Sequence, residues 1–298
     1  MTRIDEARSS LPKFNELYVK LKRHVEISGK SLSTLHNYGR CLATMALHFK
    51  CCPTVLEEDQ VLDYLYMLKT QSRTPSSTYF KHTVYGLRLA YKLLNVPSKP
   101  VFLPKMKFPK KLPVVLSQAE VKQLIKGAHL LKHKLMISLL YGCGLRRFEL
   151  LNIELKDIDM DRGLLHIREG KGRKDRYVPL GQLLTKGLRQ YLSHERPYRW
   201  LFNGRGDAGE LQQYSATGVQ WAIRQACKKT TIKKRVTAHV LRHSYATHLL
   251  EMGMDIMTLK EALGHVAIKT TMLYLHVAQL DKTRAFSPLD RLYKLPRS

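Results

Sequence analysis

The residues with the clearest chemical potential lie between His239 and Tyr274, where histidine, arginine and tyrosine recur at short intervals. His239 and Arg242 stand three residues apart, so in a helix they would share one face. Gly264 is a candidate helix C-cap, which would leave His265 projecting from a defined corner. Taken alone, this stretch is either a phosphate-handling centre or a basic helical patch that ends in a tyrosine.

Breaking a phosphodiester bond without a metal ion requires several groups at once. Charge that gathers on the non-bridging oxygens needs fixed cationic donors, and arginine suits this best because its planar fork binds phosphate bidentately. A nucleophile, a general acid and a base complete the set. The chain offers candidates for each role but no clustered carboxylates of the kind that hold Mg²⁺. Zinc at His239 and His243 is not favoured either, because no glutamate follows His239 as in His-Glu-x-x-His.

Two further motifs precede this stretch. One places Arg146 just after a glycine-terminated helix, in the run Gly-Leu-Arg-Arg-Phe-Glu-Leu that starts at Gly144. The other places Lys171 in the turn-rich run Gly-Lys-Gly-Arg-Lys-Asp that starts at Gly170. This second run lies between two apolar segments that we predict to be short strands, Leu164 to Ile167 and Tyr177 to Leu180.

In this order and spacing, the motifs resemble those of the tyrosine recombinases of the phage-integrase superfamily. The resemblance covers residues 116–280 and is closest, in size and layout, to the Xer-like and integron-integrase branches. The run from Asp157 to Gly163 is similar to integron integrases. However, the stretch between the second strand and His239 is too short for the extra segment of those enzymes. A compact Xer-like or mobile-element enzyme is therefore preferred.

The resemblance implies that Tyr274 is the nucleophile, which would form a 3′-phosphotyrosyl link and release a 5′-hydroxyl group. Arg146 and Arg242 would clamp the scissile phosphate. Bond energy is kept in the protein–DNA ester, so the reaction would need no metal, no ATP and no other cofactor.

Three further side chains would handle protons and the phosphate by the same resemblance. Lys171 would protonate the departing 5′-oxygen, although Arg173 and Lys174 compete for this hairpin role. His239 would act as general base and acid on the tyrosine proton. His265 would donate a hydrogen bond to the phosphate.

Each of these neighbourhoods also has a plainer interpretation. The chain has 15 tyrosines, so Tyr274 in isolation fits half-buried packing, and only the aligned motifs favour a nucleophile. Glu149 fits a buried partner that orients Arg146 better than it fits a general base. Arg147 is predicted to be a solvated arginine or one that contacts the DNA backbone rather than a second catalytic arginine. His243 is predicted either to adjust the properties of the site or to pack in the protein interior.

Composition points to a polyanionic partner. Lysine and arginine total 51 against 24 aspartate and glutamate residues, a formal net charge of +27 that is spread over both halves of the chain. Nucleic acid is favoured over an anionic membrane surface. Five cysteines without Cys-x-x-Cys spacing argue against a disulfide scaffold, and no run of 18 apolar residues occurs. We expect a reduced, soluble protein that is cytoplasmic and associated with the nucleoid.

The fold class predicted for the whole chain is mainly α, with a small antiparallel β-sheet in the C-terminal domain. After a frayed polar lead at residues 1–10, apolar residues at helical spacing predict an N-terminal bundle of four helices. These helices are predicted over residues 11–27, 31–49, 54–69 and 74–93.

Three segments make up the predicted domain organisation. Residues 1–95 are, by resemblance, a helical core-DNA-binding domain. Residues 96–115 are rich in proline and lysine and predict a linker, which is either a solvated spacer or a strap along a phosphate backbone. Residues 116–298 are the catalytic domain with a C-terminal tail, in which 286–295 carry an apolar set.

We therefore predict a site-specific DNA recombinase that clamps double-stranded DNA carrying specific recombination sites, and acts in integration, excision or resolution. By resemblance it would form a homotetramer in the synaptic complex, with the apolar tail docked on a neighbour or packed on its own domain. The rival predictions are a type IB-like topoisomerase, a catalytically idle DNA-binding relative and a metal-dependent nuclease.

Overall fold

The computed structural model describes five stretches of the chain, residues 1–70, 77–95, 112–168, 175–206 and 209–278. The chain divides into two compact units, Met1–Pro109 and Lys110–Ser298. Most of the predicted linker lies outside the described residues, as do Lys171 and the tail beyond residue 278. Among the described helices, none combines the length and apolar character that crossing a membrane demands.

The first unit is helical throughout its described residues. Its helices are α1 (Arg3–Ser10), α2 (Pro12–Ile27), α3 (Leu32–Phe49), α4 (Glu58–Thr70) and α5 (Ser77–Leu93). Each turns an apolar face inward. On α2, for example, the buried residues Phe14, Leu17, Leu21 and Val25 follow helical spacing and form one stripe.

The prediction of a frayed lead at residues 1–10 is wrong. Thr2 caps α1 through a capping box with Asp5, and the helix buries Ile4 and Ala7 in the core of the first unit. The bundle therefore has five helices in its described part, where four are predicted. The predicted third helix also begins later, at Glu58, because Pro53–Val55 forms a separate 3₁₀ turn.

The second unit combines helices with two small antiparallel sheets, which confirms the predicted fold class. Its helices are α6 (Gln118–Gly127), α7 (Leu131–Gly142), α8 (Arg147–Leu151), α9 (Gln182–Glu195), α10 (Ala216–Cys227), α11 (Ala238–Glu251), α12 (Ile256–Leu263) and α13 (Ile268–Thr271). Its strands are β1 (Ile158–Asp159), β2 (Leu164–Ile167), β3 (Arg176–Pro179), β4 (Asn203–Arg205) and β5 (Leu211–Gln213).

Strands β2 and β3 are the pair predicted around the Lys171 hairpin. They lie antiparallel in a sheet of order β1-β2-β3, with Leu165 opposite Val178 and Ile167 opposite Arg176. Leu165, Ile167 and Val178 are buried, so this face packs on the core of the unit. The pairing places Arg176 at the end of the described ladder, next to the hairpin.

Helix α11 runs through the interior of the second unit. Ten of its residues are buried, both apolar ones such as Leu241 and Leu250 and polar ones such as Arg242, so the helix is covered on most sides and shows little amphipathic character. Thr237 caps its N-terminus by accepting a hydrogen bond from the backbone N–H of Val240. A helix held on so many sides is a rigid platform for the polar side chains near its first turns.

Candidate active site

Arg242 is a fully buried cation at the centre of the candidate site, with 1% of its surface exposed. It lies on α11 and donates hydrogen bonds to the backbone oxygens of Gly144, at 2.6 Å, and Leu263, at 2.5 Å. Burial, and then the charge of Arg146, lower the pKa of Arg242 to about 10, so it stays protonated at neutral pH. Two carbonyl groups therefore fix the guanidinium fork, which has five N–H donors in all.

Two glycines shape the backbone that holds Arg242. Gly144 has φ +58°, and a Cβ atom there would lie 2.3 Å from Cδ1 of Tyr245. Gly264 has φ +61° and forms the C-cap of α12, as predicted from the sequence. Because only glycine tolerates both the left-handed backbone and the close approach, the Gly-Leu-Arg motif places the Gly144 carbonyl where Arg242 needs it.

Glu149 is the anionic centre of the arginine cluster. Its carboxylate accepts hydrogen bonds from the backbone N–H of Arg146 at 2.8 Å and from Nη1 of Arg146 at 2.6 Å. Burial by itself would raise the pKa of Glu149, but the hydrogen bonds and charges of Arg176 and Arg146 outweigh it and hold the pKa at about 2. The prediction that Glu149 is a buried partner of Arg146 is confirmed.

Arg176, which directly follows the hairpin run in the sequence, is a third arginine on the same carboxylate and is not among the predicted site residues. Its Nη1 and Nη2 atoms donate to the two oxygens of Glu149 at 3.0 and 2.8 Å, and its Nε donates to the backbone oxygen of Ala262. Its side chain is 9% exposed. Arg176 therefore ties the end of β3 to α8 and to the C-terminal end of α12. In the sequence, this arginine is only a residue next to a predicted hairpin, and the glutamate belongs to a separate motif. The tertiary fold is needed to show that the two side chains meet.

Tyr274 lies in a 3₁₀ turn, Met272–His276, and is 3% exposed. Its hydroxyl group is 3.1 Å from Nδ1 of His243. Its ring lies nearly parallel to that of His265, with centroids 6.3 Å apart. Burial raises the pKa of Tyr274 above its ordinary value, although Arg242 and Arg146 pull in the opposite direction. At neutral pH the hydroxyl group is therefore protonated.

Three histidines surround this tyrosine from two sides. His239 and His243 are successive on one face of α11, with ring centroids 4.2 Å apart, and His239 is exposed to solvent. One side of the His239 ring is covered by its neighbours, and this partial desolvation, followed by the charges of Arg242 and Arg146, lowers the pKa of His239. Burial, followed by His239 and Arg242, lowers the pKa of His243 to about 4. His265 follows the α12 cap, and its Nδ1 atom lies 2.9 Å from the hydroxyl oxygen of Thr271.

The structure thus brings together five of the six predicted catalytic residues. Arg146 reaches the Gly264 carbonyl at 3.3 Å, next to His265, while Arg242 and His239 approach from α11 and Tyr274 from the turn beyond α13. The sixth, Lys171, lies outside the described residues. Of the chain's described part, no group of His, Cys, Asp or Glu side chains has the arrangement of a metal site.

This arrangement suits the binding of a tetrahedral anion beside a tyrosine hydroxyl group. Arg146 and Arg242 carry positive charge that Glu149 only partly balances, because Arg176 occupies the same carboxylate. The surplus charge favours an anionic group at this point. The protonated hydroxyl group of Tyr274 can attack a phosphate held there only if a nearby group accepts its proton.

Comparison with known proteins gives consistent results. Residues 114–280 match the Phage integrase family. A putative integrase/recombinase of Sinorhizobium fredii is 33% identical over 282 residues, covering 92% of this chain and 88% of that protein. Tyrosine recombinase XerA of Pyrococcus furiosus is 33% identical over 268 residues, covering 88% of this chain and 90% of that protein.

Two solved structures resemble the chain in fold. The crystal structure of XerA recombinase has a TM-score of 0.51 and 28% identity, covering 96% of this chain and all of that one. The Tn1549 transposon integrase in complex with a circular intermediate DNA has a TM-score of 0.67 at 16% identity, covering 87% of this chain and 94% of that one. At that identity the second likeness concerns the fold alone.

Proposed function

The chain belongs to the phage integrase family and is a tyrosine recombinase, an enzyme of DNA strand cleavage and rejoining, and from this premise we propose that Tyr274 is its nucleophile. The observation that carries the proposal is that the buried Tyr274 side chain lies within electrostatic reach of Arg242 and Arg146, whose charges oppose the rise of its pKa. Attack by Oη on a scissile phosphate gives a 3′-phosphotyrosyl ester and a free 5′-hydroxyl group. Rejoining is the reverse attack by a 5′-hydroxyl group.

The remaining predicted residues complete this reaction. Arg146 and Arg242 bind the non-bridging oxygens and stabilise the charge that grows on them. Lys171 protonates the departing 5′-oxygen, a role that rests on the hairpin motif of the sequence. His239 acts as general base and acid on the tyrosine proton, and His265 donates a hydrogen bond to the phosphate. No metal ion and no ATP take part in this scheme, because the ester itself stores the bond energy.

Double-stranded DNA with specific recombination sites is the proposed partner. Residues 1–95 form the core-DNA-binding domain, 96–115 the connection and 116–298 the catalytic domain with its tail. Recombination joins two duplexes, so four protomers act together in a synaptic complex, and the reaction serves integration, excision or resolution. The net charge of +27 and the DNA complexes of fold-related recombinases support DNA as the partner.

A nicked suicide substrate tests the chemistry. The recombination site is first recovered from a random-sequence duplex library by binding selection, and a nick beside the scissile phosphate then lets the 5′-product diffuse away. Wild-type protein should accumulate a covalent adduct in EDTA, and Tyr274→Phe should form none. Tyr141→Phe is the matched control, because it also removes one hydroxyl group that is bonded to a histidine of α11, His248, away from Tyr274.

The outcomes separate the rival functions. An adduct that persists in Tyr274→Phe refutes the nucleophile, and cleavage that EDTA abolishes indicates a metal-dependent nuclease. Relaxation of any supercoiled plasmid, without a preferred site, indicates a topoisomerase. Binding without an adduct indicates an idle relative. For assembly, deletion of residues 284–298 should abolish synapsis and leave single-site binding, and unchanged recombination would refute a role of the tail in trans.

A further inference from the structure

The hydroxyl group of Tyr274 makes its hydrogen bond to a histidine other than the one that the motif resemblance nominates. Nδ1 of His243 lies 3.1 Å from Oη, with the two rings tilted at a centroid distance of 5.5 Å. His239 makes no hydrogen bond to Tyr274 within the described residues. The contact that a proton acceptor needs is thus already present at His243.

The helix explains why the two histidines differ. His239 and His243 are four residues apart on α11, so they share a face but stand one turn apart along the axis. His239 is on the first turn and is open to solvent, whereas His243 is half-buried beneath it and faces the 3₁₀ turn that carries Tyr274. The inner histidine therefore meets the nucleophile, and the outer one lies at the solvent side.

The charge state of His243 suits an acceptor. Burial, followed by the influence of His239 and Arg242, lowers its pKa to about 4, so the ring is neutral at pH 7. In the tautomer that carries its hydrogen on Nε2, Nδ1 has the lone pair that accepts the Tyr274 hydroxyl hydrogen. The titratable and charged groups that share this region are His239 and Arg242 on α11, Tyr274 and His265 on the turns after α12, and the cluster of Arg146, Glu149 and Arg176 that adjoins Arg242.

We infer that His243 is the residue that positions the Tyr274 hydroxyl and takes its proton during strand cleavage. The inference deepens the proposed function, since it rests on Tyr274 as nucleophile, and it moves one role there from His239 to His243. As the Oη–P bond forms, the Oη–H bond breaks and its proton goes to Nδ1. The P–O5′ bond breaks with its electron pair on the 5′-oxygen, which takes a proton from the general acid.

The bound phosphate makes this transfer easier. Its negative charge, which grows in the transition state, offsets the guanidinium groups of Arg146 and Arg242 and stabilises a protonated His243 nearby. The oxygen of Tyr274 also becomes far more acidic as it bonds to phosphorus. A histidine that is a weak base in the free protein thus becomes an adequate one when DNA is bound.

Single-turnover adduct formation on the nicked substrate tests the inference with His243→Ala, His243→Asn and His239→Asn. His243→Ala should form the adduct at least about 100-fold more slowly than wild type at pH 7, as expected for a lost general base. His243→Asn keeps a hydrogen-bond acceptor near the position of Nδ1 but has no basicity, so it should be similarly slow. Tyr141→Phe and unchanged DNA binding by each variant control for folding.

The pH dependence and a modified substrate separate proton transfer from packing. Between about pH 6 and 9, the wild-type rate should be nearly flat, while the logarithm of the His243→Ala rate should rise with a slope of about 1 because only spontaneously ionised tyrosine reacts. A 5′-bridging phosphorothiolate, whose thiolate leaves without a general acid, should leave the defect of His243→Ala in place.

Wild-type rates in His243→Ala would overturn the inference, and so would full recovery in His243→Asn, because recovery would mean that only a hydrogen bond is needed. The same pH slope in His239→Asn, without it in His243→Ala, would return the role to His239. If the proposed function itself is wrong, the result is different: Tyr274→Phe still forms the covalent adduct.

Discussion

Replacing Glu149 by glutamine should loosen the arginine cluster at a predictable cost in stability. The pKa of Glu149 is lowered from 4.5 to about 2, and at about 1.4 kcal/mol per pKa unit this corresponds to about 3 kcal/mol of preferential interaction with the carboxylate form. The side chain is 5% exposed, so solvent screens this interaction little. Glutamine keeps one oxygen for the capping box of α8, which accepts either residue, but it removes the charge and replaces one accepting oxygen with an NH₂ donor that faces arginine N–H groups.

The expected result is a destabilisation of about 3 kcal/mol at pH 7, or roughly 6–12 °C in Tm for a domain of this size. Because the folded-state pKa is depressed, the stabilisation is complete above the unfolded value near 4.5 and disappears as pH falls toward about 2. Thermal or urea unfolding of wild type and Glu149→Gln at pH 7, 4 and 3 should therefore show curves that converge on acidification.

Glu120→Gln is a matched control for this experiment. Glu120 occupies the same capping-box position on α6, but its ionic partner, Lys234, is 43% exposed at the surface. Its substitution should change stability by less than about 1 kcal/mol. Equal effects of the two substitutions, or a Glu149→Gln effect that does not shrink with acid, would refute the view that the buried carboxylate stabilises the site through its charge.

Two further substitutions and a change of salt concentration have predictable effects on stability and on DNA binding. Arg176→Lys should recover less than half of the stability lost in Arg176→Met, measured by urea unfolding, because one ammonium group cannot bond both oxygens of Glu149 and the Ala262 carbonyl. Gly144→Ala should destabilise by about 2 kcal/mol or more in the same assay, from the left-handed φ and the clash with Tyr245, and a neutral result would contradict that geometry. Site binding should weaken with salt, with a log–log slope of about −5 to −9 by titration in increasing NaCl, and a slope near zero would argue against phosphate contacts.

The sequence predicted most of the helices because their apolar residues repeat at the helical period, as on α2 and α3. It missed α1, where a capping box outweighs a polar composition with only two buried side chains, Ile4 and Ala7. Local signals of this kind are short, and their effect depends on the neighbours that receive the buried residues.

The same difference between local signals and long-range contacts applies to the residues of the candidate site. Gly144, Glu149 and Gly264 were interpretable because each acts through a backbone conformation or a partner within a few residues. Two other contacts join residues that are distant in the sequence: Arg176 and Glu149 are 27 positions apart, and His243 and Tyr274 are 31 positions apart. No local sequence pattern predicts such contacts. Such pairings are decided by how α8, β3 and α11 pack, which only the folded chain specifies.

The two carbonyl groups that hold Arg242 have a consequence for how the enzyme is made. They come from 98 residues before it and 21 residues after it. During synthesis on a ribosome, the earlier carbonyl exists long before α11 emerges, but Arg242 stays without its second partner until Leu263 has been added. Tyr274 follows later still. On the proposal that Tyr274 is the nucleophile, a growing chain therefore exposes positively charged segments, and can meet DNA, before the residue that cuts a strand has been added.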